Sequence, residues 1–546
     1  MKKYLTLDFV LIAALVVFVT LQPYFMHGMI NFYETGIYLP QINEFLHGKA
    51  LYRDVFVLRG PLEIVMPALL MKLFGVHVGA LNAYFYFGTV VTLFIYALFA
   101  LRLYKTRGFV YLFAMVLIAR TFPWSCFNVW GGIRFGLGIF GVLLAVNFLR
   151  NKKSVQLLFS GILTSFAFWT SFELGAFSFI SIITALLLCG YAEIKDMRVV
   201  FRYVLIYIAG NIIASLPFIL YLFLNNAFFF YLDAVYVVLT KTSKVFNPAF
   251  CFETPMNLKE FIMALYPLSH NFKYTLPFLF YVAVCAYLLR RFAKRKFDIS
   301  DISISAVSIY GILLYISTFR NVEGPQYRMT LQPLLLVMFF YLERFYIWNK
   351  GLKQSIRGLK KVLVIFILFA IPVYVLGFSV SKYSKRFFIF KEIKEAILHN
   401  KRADIPYANP DPTPIKSNRA MGIIVPGSQA REVDGVVEYI ATHTENSDAV
   451  FTFPDLGSYN FLTDRPSAGK FYCAELSFMD SQWFEDMFRE LKNTKPKFII
   501  CAKEFTRLKP FMPDIGKYLD RMTEFLREDY NIRKSFETVN IFERKI

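Results

Sequence analysis

The chain has 546 residues, of which 56% are hydrophobic and 18% aromatic, with a net charge of +21 and a mean hydropathy of +0.47. Soluble chains average about 45–50% apolar residues; here apolar runs of about 20 residues recur, enough to cross a hydrocarbon core of about 30 Å, so a soluble fold is excluded. Nucleic-acid binding is excluded too: from Lys382 onward 26 basic residues face 24 acidic ones, so nearly all the excess charge lies in loops between apolar segments, where the positive-inside rule expects it.

The first apolar segment, FVLIAALVVFVTLQ, follows a basic start (MKK) and precedes no small-residue cleavage site, so it is expected to stay as a first helix. Spanning helices are expected near residues 5–22, 79–101, 108–122, 130–149, 154–172, 174–192, 203–224, 275–290, 302–319, 328–347 and 361–381, eleven in all. Basic clusters occupy alternate loops: Lys2/Lys3, Arg102/Lys105/Arg107, Arg150/Lys152/Lys153, Arg198/Arg202, RRFAKRK at 290–296, and Arg344 to Lys361. That alternation predicts a cytoplasmic N-terminus and an extracytoplasmic C-terminus.

Two outer loops are long. The first, residues 23–78, contains PLEIVMPALLMKLFG, too short and too charged for a span and suited to a helix lying in the interface. The second, 225–274, opens with a similar segment, AFFFYLDAVYVVLTKT. Residues 1–382 are thus expected to form a transmembrane domain and proline-rich 383–425 a linker. In 426–546, helical patterns alternate with short apolar runs, which suggests a small α/β domain outside the membrane. The six cysteines (126, 189, 251, 285, 473, 501) show no metal-ligand spacing; Cys473 and Cys501 are a candidate pair that the sequence leaves open.

The stretch NFYETGIYLPQINEFLHGKALYRDVFVLRGPL, residues 31–62, places Glu34, Arg53, Asp54 and Arg59 where the chain leaves the membrane. Lys241, Lys244, Arg320, Glu323 and Arg328 are predicted on the same face. Carboxylates and cations converging at an interface suit an anionic lipid head group and acid–base chemistry on it.

These residues resemble the polyprenyl-phosphate-sugar-dependent glycosyltransferases of the GT-C superfamily, among them the protein mannosyltransferases and the lipid A aminoarabinose transferases. The family's Asp-Glu-Gly-x-Tyr corresponds to Glu34-Thr35-Gly36-Ile37-Tyr38. GKALYRDVFVLRGPL (48–62) is a second match, and EGPQYRMTLQPLLLV (323–337) a third, with Gln326 where His is usual. LGSYNFLTDRPS (456–467) and KPKFIIC (495–501) are similar to the family's outer domain. Two departures stand out: the lead carboxylate is Glu rather than Asp, and the second outer loop, FPWSCFNVWGG at 122–132, holds no acid.

The resemblance implies a polytopic α-helical, GT-C-like membrane protein of the plasma membrane whose donor is a polyprenyl-phosphate sugar and whose acceptor is a lipid, glycan or protein hydroxyl. A single displacement inverts the anomeric centre and needs one general base. Glu34 is expected in that role. Asp54 is expected to fill a second catalytic role, to ligate a divalent metal ion, or only to pair with Arg53. Arg59 is expected on the lipid phosphate, where a guanidinium stabilises the leaving charge, with Arg328, Arg320, Lys241 and Lys244 as further phosphate contacts. Tyr38, Arg53 and Tyr327 are expected to position substrate. The six histidines form no metal-ligand pattern, which leaves a divalent metal ion as an open alternative and no other cofactor expected. A flippase of lipid-linked saccharides and a non-catalytic scaffold are the rival readings.

Overall fold

The computed structural model describes residues 7–14, 32–121, 132–194, 196–241, 272–317, 329–351, 411–421, 423–504 and 515–545. After a helical segment at 7–14 come two helices of 15 and 13 residues, α1 (Phe32–Leu46) and α2 (Leu62–Phe74). A bundle follows: α3 (Val78–Leu103), α4 (Arg107–Thr121), α5 (Arg134–Asn151), α6 (Ser154–Thr170), α7 (Phe172–Cys189), α8 (Met197–Leu224), α9 (Phe228–Thr240), α10 (Phe272–Ala293), α11 (Ile299–Ser317) and α12 (Gln332–Gly351). Helix boundaries follow local chemistry. His77 caps α3 by accepting from the Ala80 N–H at 3.2 Å, and Asp196 caps α8 by accepting from Arg198 N at 2.9 Å. Among the described residues five helices are long and apolar enough to cross a membrane: Val78–Leu103, Phe172–Ile194, Met197–Leu224, Thr275–Ala293 and Ile299–Ser317. The other expected spans between 108 and 347 also form helices; most of the first, and all of 361–381, lie outside the described residues.

The bundle has two chemically distinct ends. At one, Arg150 donates to the Arg102 carbonyl, Arg107 meets Asp8 at 3.1 Å, Lys152 meets Glu193 at 3.8 Å, and Asp301 collects Arg291 at 2.7 Å and Arg344 at 3.6 Å. These belong to the loops expected on one side from their charge. At the other end sit α1, α2, the α6–α7 turn and α9.

The C-terminal region begins with β1 (Pro412–Pro414) paired antiparallel to β2 (Ile424–Pro426). After α13 (Gly427–His443) a four-stranded sheet forms from β3 (Val450–Phe453), β4 (Phe498–Ala502), β5 (Tyr530–Ser535) and β6 (Val539–Arg544), in the order β3-β4-β6-β5. Strands β3 and β4 run parallel, and the other neighbours antiparallel. The crossover from β3 to β4 carries α14 (Ser458–Thr463), a helical turn at Ala474–Ser477 and α15 (Ser481–Thr494); α16 (Gly516–Asp529) precedes β5. Helix α15 buries Trp483, Phe484, Met487, Phe488 and Leu491, an i, i+3/i+4 stripe.

Two sequence expectations need correction. Residues 411–421 and 423–425, assigned to the linker, belong to the folded region: Ile415, Ala420, Ile423 and Val425 are all at most 5% exposed. The prolines that suggested a linker border a short two-stranded pair, where proline is tolerated. The first outer loop is also more ordered than its polarity suggested, since α1 runs through Pro40.

The C-terminal region is not a separate body. A single hydrophobic core joins Leu39, Ile42, Phe56 and Ile64 of the first loop to Phe451, Tyr472, Trp483 and Phe498. Phe56 stacks on Phe471 at 5.2 Å and meets Trp483 edge-on at 5.0 Å.

Cys473 and Cys501 are both free and buried. Burial pushes the Cys473 thiol well above its usual range and Cys501 up to about 12. The candidate pairing is therefore not formed. Alkylation followed by mass spectrometry on protein extracted without reductant should find both thiols unreacted until denaturant is added, and then both reactive.

Candidate functional site

The site grows from the segment joining α1 to α2. Its first part is a tight loop: Asp54 N donates to Ala50 O at 2.9 Å, Ala50 N donates back to Asp54 Oδ2 at 2.9 Å, and Tyr52 takes φ +71°. Arg53 lies along Asp54 with hydrogen bonds of 2.7 and 2.8 Å and reaches the Asn225 carbonyl at 2.9 Å. Arg53 holds the Asp54 carboxyl below its usual range. Of the three roles expected of Asp54, this geometry displays the pairing.

The chain then enters Arg59-Gly60-Pro61. Gly60 is backed onto α6 so closely that a Cβ would sit 1.9 Å from Trp169 O; its N–H donates to Thr170 O at 3.1 Å. Only glycine allows that approach. The Arg59 carbonyl accepts from Tyr52 Oη, and Arg59 Nη1 donates to Tyr38 Oη. Burial works against the Arg59 charge, but Tyr38 and Glu63 outweigh it and hold the pKa above its usual value.

Glu63, in the first turn of α2, is 1% exposed. Around it stand Tyr84 Oη at 3.4 Å, Tyr38 Oη at 3.5 Å, Arg59 Nη1 at 3.6 Å and Arg134 Nη1 at 3.9 Å. Burial pushes the Glu63 carboxyl up to about 7, although Arg59 and the two tyrosines pull it down. Sequence reasoning treated Glu63 only as a charge that argued against a span. The available signal was its spacing, four residues after Arg59 on a helical turn.

Helix α1 is fastened to the C-terminal region along its length. Thr35 Oγ1 lies 3.0 Å from Ser458 Oγ, and a Cβ on Gly457 would meet Gly36 O at 2.8 Å. Gln41 bonds Tyr472, Arg419 donates to Asn43 Oδ1 at 2.6 Å, and Glu44 accepts from Ser467 N at 2.7 Å. The motifs Glu34-Thr35-Gly36 and Leu456-Gly457-Ser458, distant in sequence, are therefore in contact. Glu34 lies in the first turn of α1, four residues before Tyr38.

Of the remaining expected residues, Lys241 pairs with Asp480, which also caps α15 by accepting from Gln482 N at 2.7 Å. Lys241 is thus a strut between α9 and the C-terminal region, alongside Trp483 Nε1 donating to Asp233 at 2.8 Å. Lys244, Arg320, Tyr327 and Arg328 lie outside the described residues, as does the second outer loop apart from Gly132. Among the described residues no three His, Cys, Asp or Glu side chains group as a metal site.

No family model matches the sequence, and no curated protein matches it. Solved structures do. ArnT from Cupriavidus metallidurans bound to undecaprenyl phosphate aligns over 99% of this chain and 98% of its own, with a TM-score of 0.52 at 15% identity. The chain has the ArnT fold. ArnT in the apo state aligns equally far, with a TM-score of 0.51 at 14% identity. The likeness is one of fold, and the alignment runs through nearly the whole length of both chains.

Proposed function

We propose that this protein is a multi-pass membrane glycosyltransferase that moves a sugar from a polyprenyl phosphate to an acceptor hydroxyl, with inversion. The observation that carries the reading is Arg59: a mostly buried guanidinium that donates to Tyr38, on a backbone carbonyl held by Tyr52, in the fold of a protein crystallised with undecaprenyl phosphate. The fixed positive charge stabilises the phosphate as it leaves the sugar. Arg320, Arg328 and Lys244 are assigned as further phosphate contacts, with Tyr327 beside them. Glu34 is assigned as the base that takes the acceptor proton. Asp54 is a poor base because Arg53 keeps it ionised at low pH; its task is to fasten the loop that presents Arg59.

The test is glycosyl transfer from a panel of radiolabelled polyprenyl-phosphate sugars to membrane acceptors by the purified full-length protein. Donor-dependent transfer to a hydroxyl supports the reading. Movement of donor between leaflets without transfer identifies a flippase, and binding without either identifies a scaffold.

The orientation is proposed from charge: the basic end of the bundle faces the cytoplasm and the C-terminal region the outside. A reporter fused within 290–296 should read as cytoplasmic and one after Lys382 as extracytoplasmic. Both reading on the same side would break the assigned topology.

A further inference from the structure

Glu63 is a carboxylate with no exposure to speak of, and its partners stand at long range: it accepts from Tyr84 at 3.4 Å and Tyr38 at 3.5 Å and pairs with Arg59 at 3.6 Å. Charge-assisted hydrogen bonds run at about 2.7–2.9 Å; the contacts of Glu63 run from 3.4 to 3.9 Å. Buried charges usually persist only when paired and hydrogen-bonded well. This one is encircled by two guanidinium groups and two phenols, each at the long end of hydrogen-bond or ion-pair distance. The groups come from four elements: Tyr38 from α1, Arg59 from the loop before α2, Tyr84 from α3 and Arg134 from α5. Glu173, at the start of α7, adds negative charge within range of Arg59.

The charge balance is informative. With Glu63 ionised, the guanidinium charges of Arg59 and Arg134 are offset by Glu63 and Glu173. With Glu63 protonated, the same cluster gains one positive charge without moving an atom. A phosphodiester carries one negative charge. Among these described groups, protonating Glu63 therefore leaves Arg59 better matched to that charge.

We propose that Glu63 is the resident counter-ion of the donor-phosphate site: it neutralises Arg59 while the site is empty and takes up one proton from solvent as the lipid phosphate takes over that guanidinium. The inference rests on the proposed function, since it needs Arg59 to meet a lipid phosphate. It makes Glu63 a positioning residue, acting through Arg59. The raised carboxyl range is consistent with it, because a group titrating at about 7 exchanges its proton at neutral pH.

The sign follows directly. Below about pH 7 Glu63 already carries its proton in the free protein, so binding has full strength and takes up no further proton. Above that pH each binding event must also protonate Glu63, so affinity falls by about tenfold per pH unit. The experiment is calorimetry on the full-length protein in detergent, with undecaprenyl methyl phosphate as probe. That phosphodiester stays singly charged across the neutral range, so any titration belongs to the protein. Titrations in buffers of different ionisation enthalpy count the protons. Wild type should take up about one proton per lipid at alkaline pH and close to none at acidic pH. Glu63→Gln should take up none at either and should bind more tightly than wild type at alkaline pH. Uptake that persists in Glu63→Gln, or wild-type binding without uptake at any pH, overturns the proposal. The wild-type count decides the matter even if the variant is unstable. Binding without proton uptake sinks only this inference; no binding of the probe at any pH sinks the proposed function with it.

Discussion

Glu34→Gln should cut turnover by about 10²–10⁴ while leaving donor binding nearly intact, because the amide keeps size and hydrogen bonding but cannot take a proton. The effect belongs to the chemical step, so it should appear in kcat and not in the affinity for a non-reacting polyprenyl phosphate. Glu34→Asp is the informative companion. It installs the carboxylate the resembled family carries at this position, with a reach shorter by one methylene, so part of the activity should survive. Single-turnover transfer measured for both variants, at matched expression, separates the cases. Wild-type turnover in Glu34→Gln would reduce Glu34 to a solvated acid and end the assignment of the base.

Arg59→Ala should lower kcat/KM by about 10²–10³, the range found when one preorganised donor to a developing anion is removed. Both binding and turnover should suffer, since the contact exists in the ground state and strengthens as the phosphate leaves. Arg59→Lys should recover only part, because a flexible ammonium does not reproduce a planar fork. The variant also strips Glu63 of its nearer cation, so its thermal stability should fall at alkaline pH, where Glu63 is ionised. Adding Glu63→Gln to Arg59→Ala should restore that stability without restoring donor affinity. Melting curves and donor titrations on the single and double variants make the comparison; recovery of both together would mean that Arg59 serves only to neutralise Glu63.

The membrane part was legible because a bilayer leaves the backbone few options: apolar runs must be helices, and their flanking charges report direction. At the proposed site, residue type drew attention to Arg59 and Glu34, and their roles there remain proposals. What escaped the sequence depends on contacts across the chain. Helix α1 contains Pro40, which argues against a helix; it persists because Leu39 and Ile42 are buried against the C-terminal core. Prolines 412 and 414 suggested a linker although they edge a strand pair. Glu63 was visible as a letter but not as a buried group, because no local pattern shows that Arg134, in another helix, approaches it at 3.9 Å.

The contact between Thr35 and Ser458 also sets an order of events during synthesis. The ribosome delivers the loop bearing Glu34 and Arg59 early, then some four hundred residues pass before the surface that clasps α1 exists. Throughout that interval α1 has its early partners, such as Phe85 against Tyr38, but lacks those of the C-terminal region, a condition that exposes nascent chains to aggregation and to chaperones. The contacts between α1 and the C-terminal region therefore form last, when the later elements close over a helix made long before. A stalled or truncated chain would carry most of its bundle into the bilayer and still present no finished site.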